Sequence, residues 1–204
     1  MDTLNSREKT LCSFTGCSQE ALFKSARCAH HLEDIGHYMS MLKEFLLSTK
    51  DFSCLNLSNL VFSDLTIEGK YFYFCNLHAS IFTNCEFDNI NFQLSFFDSC
   101  RFFNCRFNEG RIGWSVLADS LFDKCTFSKQ DIFRSNFNAC RLKHTSFQNS
   151  SLFTSRFIKA DFFHSEFVDC NLLRVHFEYA QLNDTLFKNS NQEEAIFDSE
   201  RIEE

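Results

Sequence analysis

"FFDSCRFFNCRF", residues 96–107, returns to its own pattern after five positions, with Phe97, Phe102 and Phe107 alternating with Cys100 and Cys105. Neither regular element has that period, since helices repeat near 3.6 residues and strands at 2. Counted in fives from Phe52 to Ile202, the beat covers 31 positions, and 30 of them are Phe, Leu or Ile. Gln192 alone departs, and no insertion shifts the phase. Two residues before each of these positions the chain is mostly Cys, Ser, Thr or Ala, and the other three positions are mixed and polar. A helix or strand would rotate the large residues away from any common side. They share one interior only if the backbone turns once per repeat, so the chain must wind as a solenoid with each large residue and its small partner facing inward.

The pattern small–polar–Phe/Leu–x–x, seen as "CRFFN", "CRFNE", "SNFNA" and "CNLLR", resembles the pentapeptide-repeat family over residues 50–202. That resemblance implies an all-β fold, a right-handed quadrilateral parallel β-helix with one repeat per side and about twenty residues per coil. Residues twenty apart then stack in columns at ~4.8 Å per coil, giving a rod of roughly 36 Å. The expected layout is a Cys/His module over residues 1–31, an amphipathic capping helix and connection over 32–49, and the β-helix over 50–204.

The chain has 204 residues, no proline and five glycines, so the repeat itself must make the turns. No apolar run approaches the ~18 residues of a membrane span, and the N-terminus lacks a signal-peptide core. A soluble, cytoplasmic protein with no membrane association is expected. A net charge of −7 argues against direct binding to a nucleic-acid backbone, and residues 191–204 carry six of the acidic groups. Of eleven cysteines, seven (Cys75, Cys85, Cys100, Cys105, Cys125, Cys140 and Cys170) fall on the small inward position, where a thiol acts as a compact apolar filler. Fourfold winding sets Cys85, Cys105 and Cys125 in one column. So many unpaired thiols fit a reducing compartment. Cys54 falls in phase at an outward position.

The other three cysteines lie outside the beat. Cys12, Cys17, Cys28 and His31 follow the spacing C-x4-C-x10-C-x2-H. The stretch resembles a short zinc knuckle, which implies one structural zinc in a Cys3His set, with His31 preferred to His30 as the fourth ligand. Next, Ile35, Met39, Leu42 and Leu46 fall on one helical face, which suits a helix that closes the open N-terminal coil.

No nucleophile elbow, phosphate-binding glycine loop or paired-histidine metal helix is present, so no catalysis is expected. His144 and His164 should stack between Lys124 and Asp184, and Asn84 on Asn104. "EGRIGW" places Gly110 inward and Gly113 outward, which predicts a local distortion. The expected function is a non-catalytic protein-interaction scaffold. The alternative implied by the resemblance is a DNA mimic that binds type II topoisomerase (DNA gyrase), with fluoroquinolone-resistance-like activity. Two adjacent columns favour the scaffold: Phe74, Leu94 and Trp114 in one, Tyr73, Phe133, Phe153 and Leu173 in the other. Seven large apolar side chains on one face exceed what a soluble monomer leaves bare. A protein partner, a second copy in a homodimer, or the N-terminal module folding back is expected to cover them.

Overall fold

In the computed structural model, which describes residues 10–198, the backbone enters the left-handed region at every fifth residue from Cys54 (φ 53°) to Asn189 (φ 52°). Each such residue is a corner, and four corners close one coil of twenty residues. The first side is a five-stranded parallel sheet running from Asp51–Ser53 to Asp131–Phe133. The third and fourth sides are seven-stranded parallel sheets, from Val61–Ser63 to Gln181–Asn183 and from Thr66–Glu68 to Leu186–Lys188. The second side is a ladder of single bridges from Asn56 through Asn76, Phe96, Val116, Asn136, Arg156 and His176 to Ile196. Every pairing along the four sides joins residues twenty apart, as in Phe62 with Phe82 and Phe82 with Phe102. The architecture is a parallel β-solenoid with four sides. Ile202, in phase in the sequence, lies outside the described residues, as do residues 1–9 of the N-terminal module and the acidic groups beyond Asp198.

The in-phase residues fill the interior as ring stacks. On the fourth side Phe87, Phe107, Phe127, Phe147 and Phe167 follow one another at 4.8, 4.5, 4.7 and 4.9 Å between centroids. Neighbouring sides meet edge to face, as Phe102 does with Phe107 at 5.7 Å and 65°. Such pairs add roughly 0.5–1.5 kcal/mol each beyond the area they bury.

The small inward row does more than fill space. Ser95, Ser115, Ser135 and Ser155 form a spine in which each hydroxyl oxygen accepts from the backbone N–H twenty residues earlier, at 3.2–3.3 Å. The thiols of Cys100 and Cys140 donate to the carbonyls of Leu77 and Leu117 at 3.0 Å. Burial pushes the Cys100 thiol up to about 12, which keeps it protonated as a donor. The cysteines at this position are therefore polar partners of the backbone as well as compact fillers.

The expected distortion at "EGRIGW" does not occur. Arg111–Gly113 pairs in register with the strands on both sides of it. A Cβ at Gly110 would lie 2.4 Å from the Ile90 carbonyl oxygen and 3.1 Å from Gln130 Oε1. Ile90 and Gln130 are oversized for the small row, both are buried, and the glycine between them makes their room. At Gln192 the ladder does break. Residues Gln192–Glu194 form a short 3-10 turn, and the chain rejoins the second side at Ile196.

Helix α1 spans Ile35–Ser48 and is N-capped by Asp34, whose carboxylate accepts from the His37 N–H at 2.8 Å. It closes the first coil, and Phe45 meets Phe52 edge-on at 5.5 Å. Its buried face is Tyr38, Leu42 and Leu46, whereas Ile35 is half exposed. The departure from the expected Ile35–Met39–Leu42–Leu46 stripe arises because the Tyr38 hydroxyl donates to the Phe23 carbonyl at 2.9 Å and turns that side of the helix inward. No described helix is long and apolar enough to cross a membrane.

Truncating Phe127, stacked between Phe107 and Phe147, is expected to destabilise the protein by about 3–5 kcal/mol in urea denaturation. Truncating the half-exposed Phe74 to Ala is expected to change stability by less than about 0.5 kcal/mol.

Candidate metal centre and interaction face

A short knuckle builds the first site. The Cys17 N–H donates to the Phe14 carbonyl at 3.0 Å across a turn in which Gly16 takes φ +81°, and Cys12 N–H bonds the Gln19 carbonyl at 2.8 Å. A 3-10 turn over Ala29–His31 then swings His31 back toward Cys28. One ligand atom from each of Cys12, Cys17, Cys28 and His31 falls within 4.8 Å of all the others. Cys17 Sγ and Cys28 Sγ are 3.9 Å apart, while His31 Nδ1 lies 3.5 Å from Cys12 Sγ and 3.2 Å from Cys28 Sγ. A tetrahedral ion with bonds of ~2.3 Å to sulfur and ~2.0 Å to nitrogen would set edges of about 3.8 Å and about 3.5 Å. The four groups fit such an ion closely, and His30 stays outside at the surface. Phe14 stacks flat on the His31 ring at 4.0 Å and 7°, holding its plane. Although burial opposes ionisation of Cys12, hydrogen bonds from the backbone of Cys28 and Phe14 bring its thiol down to about 6. The thiolate, the ligand form, is thereby favoured.

The knuckle is tied to the rod. The Phe23 N–H donates to the Asn56 carbonyl at 2.9 Å, and the Asn56 side chain donates to Ala21 O at 3.0 Å. This lays the module on the first coil of the second side as though it were another turn of the ladder.

The expected apolar columns lie at and beside the corner between the first and second sides. Tyr73, Phe74, Leu94 and Trp114 are exposed, with Phe74 at 51% and Trp114 at 46%. Phe133, Phe153 and Leu173 are half-buried. Phe133 lies across Gly113 and meets Trp114 edge-on at 4.5 Å, and a Cβ at Gly113 would fall 2.3 Å from its ring. Among the described residues the N-terminal module leaves Tyr73, Phe74, Leu94 and Trp114 exposed, since its helix buries Tyr38, Leu42 and Leu46 against the coil end. Phe96, 47% exposed, continues the patch around the corner. Sequence reading missed it because only columns of the first side were followed, although the doubled Phe96–Phe97 marks an aromatic at an outward position.

The histidine column forms as expected, with His144 stacked on His164 at 5.4 Å and His164 Nδ1 3.3 Å from Asp184. These residues do not gather into a ligand set. Asn104 donates to Asn84, and Asn84 to Asp64, each at 2.9 Å.

Residues 120–197 match the family model described as a pentapeptide repeat region. The segment that it covers is a pentapeptide-repeat region. A search of curated proteins gives no match. Among solved structures, the pentapeptide-repeat protein Rfr23 of the cyanobacterium Cyanothece 51142 shares 11% identity, over 57% of this chain and 90% of that one, at TM-score 0.40. Trypsin-treated QnrB1, a plasmid-mediated fluoroquinolone resistance protein, shares 14% over 76% of this chain and 87% of that one, at TM-score 0.45. HetL, a pentapeptide-repeat protein involved in heterocyst differentiation regulation in Nostoc sp. strain PCC 7120, shares 11% over 77% and 95%, at TM-score 0.39. At the other end of this chain the knuckle and α1 close the coil.

Gly113→Ala is expected to lift the Phe133 ring off the sheet and leave Trp114 more hydrated. Trp114 is the only tryptophan, so the emission spectrum of the variant should move to the red of the parent protein.

Proposed function

We propose that this protein is a non-catalytic protein-interaction scaffold whose working surface is the corner bearing Tyr73, Phe74, Leu94 and Trp114. One observation carries the reading. Phe74, Leu94 and Trp114 are bulky apolar residues placed in the left-handed corner conformation, which such side chains disfavour, and they remain exposed there. Asn, Asp, Lys and Ala serve at many other corners, so folding does not call for these three. A rim of polar groups around an apolar patch is the usual form of a protein-binding surface. The DNA-mimic alternative has less support, since among the described residues no outward column carries three acidic residues in succession. A supercoiling assay with DNA gyrase and added protein is expected to show no inhibition.

The scaffold reading makes Trp114 its own reporter. Its emission should shift to the blue when a binding partner or a second copy covers the face, and Phe74→Ser should remove the shift. Emission that stays at the hydrated value whatever is added, and at every concentration, counts against the reading.

We further infer that Cys12, Cys17, Cys28 and His31 hold one zinc ion, which fastens the module that caps the rod. Full protein ligation leaves no open position, so the ion's role is structural. Protein purified without chelator is expected to contain about one zinc per chain and to lose it in Cys17→Ser. Among the thiols, Cys54 is the exposed one, so the native protein should show about one fast-reacting thiol and the chelated protein about four. Hydrogen exchange after chelation should rise over the first coil and leave the central coils protected, because repeat stability is mostly local.

A further inference from the structure

The second side of the rod is divided along its length. In its first four coils the outward and corner positions from Cys54 to Asp119 hold no lysine or arginine, and Phe74, Phe96 and Trp114 stand exposed. In the next three coils the same columns hold Arg134, Arg156, Arg174 and Lys159, all exposed. Elsewhere on the rod Arg106 pairs with Glu86, Arg111 with Asp131 and Lys129 with Glu109. Among the described residues Arg134, Arg156 and Arg174 make no ion pair, and no described cation lies over the rings of Phe74, Phe96 or Trp114.

We propose that a second copy of this chain packs on the second side in an antiparallel two-fold dimer, its arginines lying on the aromatic rings of the first. This rests on the reading of the face as an interaction surface and names its occupant. A two-fold axis lying across the rods in the plane of contact reverses each column upon itself. Set between the fourth and fifth coils, that one axis brings Trp114 opposite Arg134, Phe74 opposite Arg174 and Phe96 opposite Arg156 of the second copy. Every exposed arginine of the side thus meets an exposed ring, and no other pairing of coils does this for all three. A planar guanidinium stacks well on an aromatic face and is weakly hydrated, so little is lost when both are covered. The rigid ~4.8 Å coil spacing keeps the three contacts in step over six coils.

Sedimentation velocity of the full chain from ~1 to ~100 μM is expected to give a concentration-dependent dimer. R134E with R156E should return it to monomer at unchanged melting temperature, and so should Trp114→Ser. A monomer at every concentration overturns the second copy as occupant, and the interaction reading then stands or falls on the blue shift with another protein. A dimer that survives the arginine changes but not Trp114→Ser overturns the arginine pairing, and one that survives both overturns the face itself. Direction is tested in a Cys54→Ser background with a short bis-maleimide. Leu94→Cys mixed with Thr154→Cys should cross-link, since the axis sets these positions opposite each other. Either variant cross-linking alone overturns the antiparallel arrangement.

Discussion

The left-handed corner is the constraint on which the rest of this structure depends. For a residue other than glycine the conformation costs roughly 1–2 kcal/mol, and the chain adopts it every five residues with Gly69 the only glycine among the corners. Such a repeated cost is met only if each corner is held by what lies above and below it. The coil-to-coil hydrogen bonds do so: the corner N–H groups of Asn84, Asn104 and Lys124 reach the carbonyls of Phe103, Asp123 and Lys143 at 2.9–3.0 Å. The absence of proline follows from the same requirement. Its fixed φ near −65° cannot form a corner, and elsewhere in the coil it would remove a ladder donor. So does the unbroken phase, because one added residue would turn a whole coil inside out.

Much of this was legible in the sequence for a physical reason. A period of five leaves one large and one small inward position per side, and any exchange between inward and outward residues would bury a charge or open a cavity. The inward row from Phe52 to Phe187 could therefore be read directly. What the small row does was less legible, because size and hydrogen bonding select the same residues. Cys100 and Ser120 each donate to a carbonyl of the preceding coil, yet by volume alone they are fillers. Gly110 misled for a related reason. It is small because Ile90 and Gln130, twenty residues away on either side, are large, and compensation of that kind appears only when coils are stacked.

The candidate sites divide along the same line. Cys12, Cys17, Cys28 and His31 were legible because they fall outside the beat, where the demands of the core do not explain cysteine. The helix face was half legible. Leu42 and Leu46 turn in as their spacing requires, while Tyr38 displaces Ile35 through a single hydrogen bond to the knuckle backbone. That contact joins two segments whose relative placement no local pattern encodes. Phe96 was hidden for a topological reason, since it stands on the second side, just past the corner that Leu94 forms.

The corner geometry also bears on what this surface is good for. On a loop-built surface, each side chain must be ordered when a partner arrives, at roughly 0.5–1.5 kcal/mol per immobilised group. Here the Cα positions of Phe74, Leu94 and Trp114 are already fixed by the ladder, and Phe133 packed on Gly113 restrains the indole further. The ordering was completed when the chain folded, and it was stabilised by the buried phenylalanine stacks rather than by the surface itself. An apolar column on such a rod can therefore bind with few residues, provided that its partner repeats at the same spacing. A second copy of the same rod meets that condition without further adjustment.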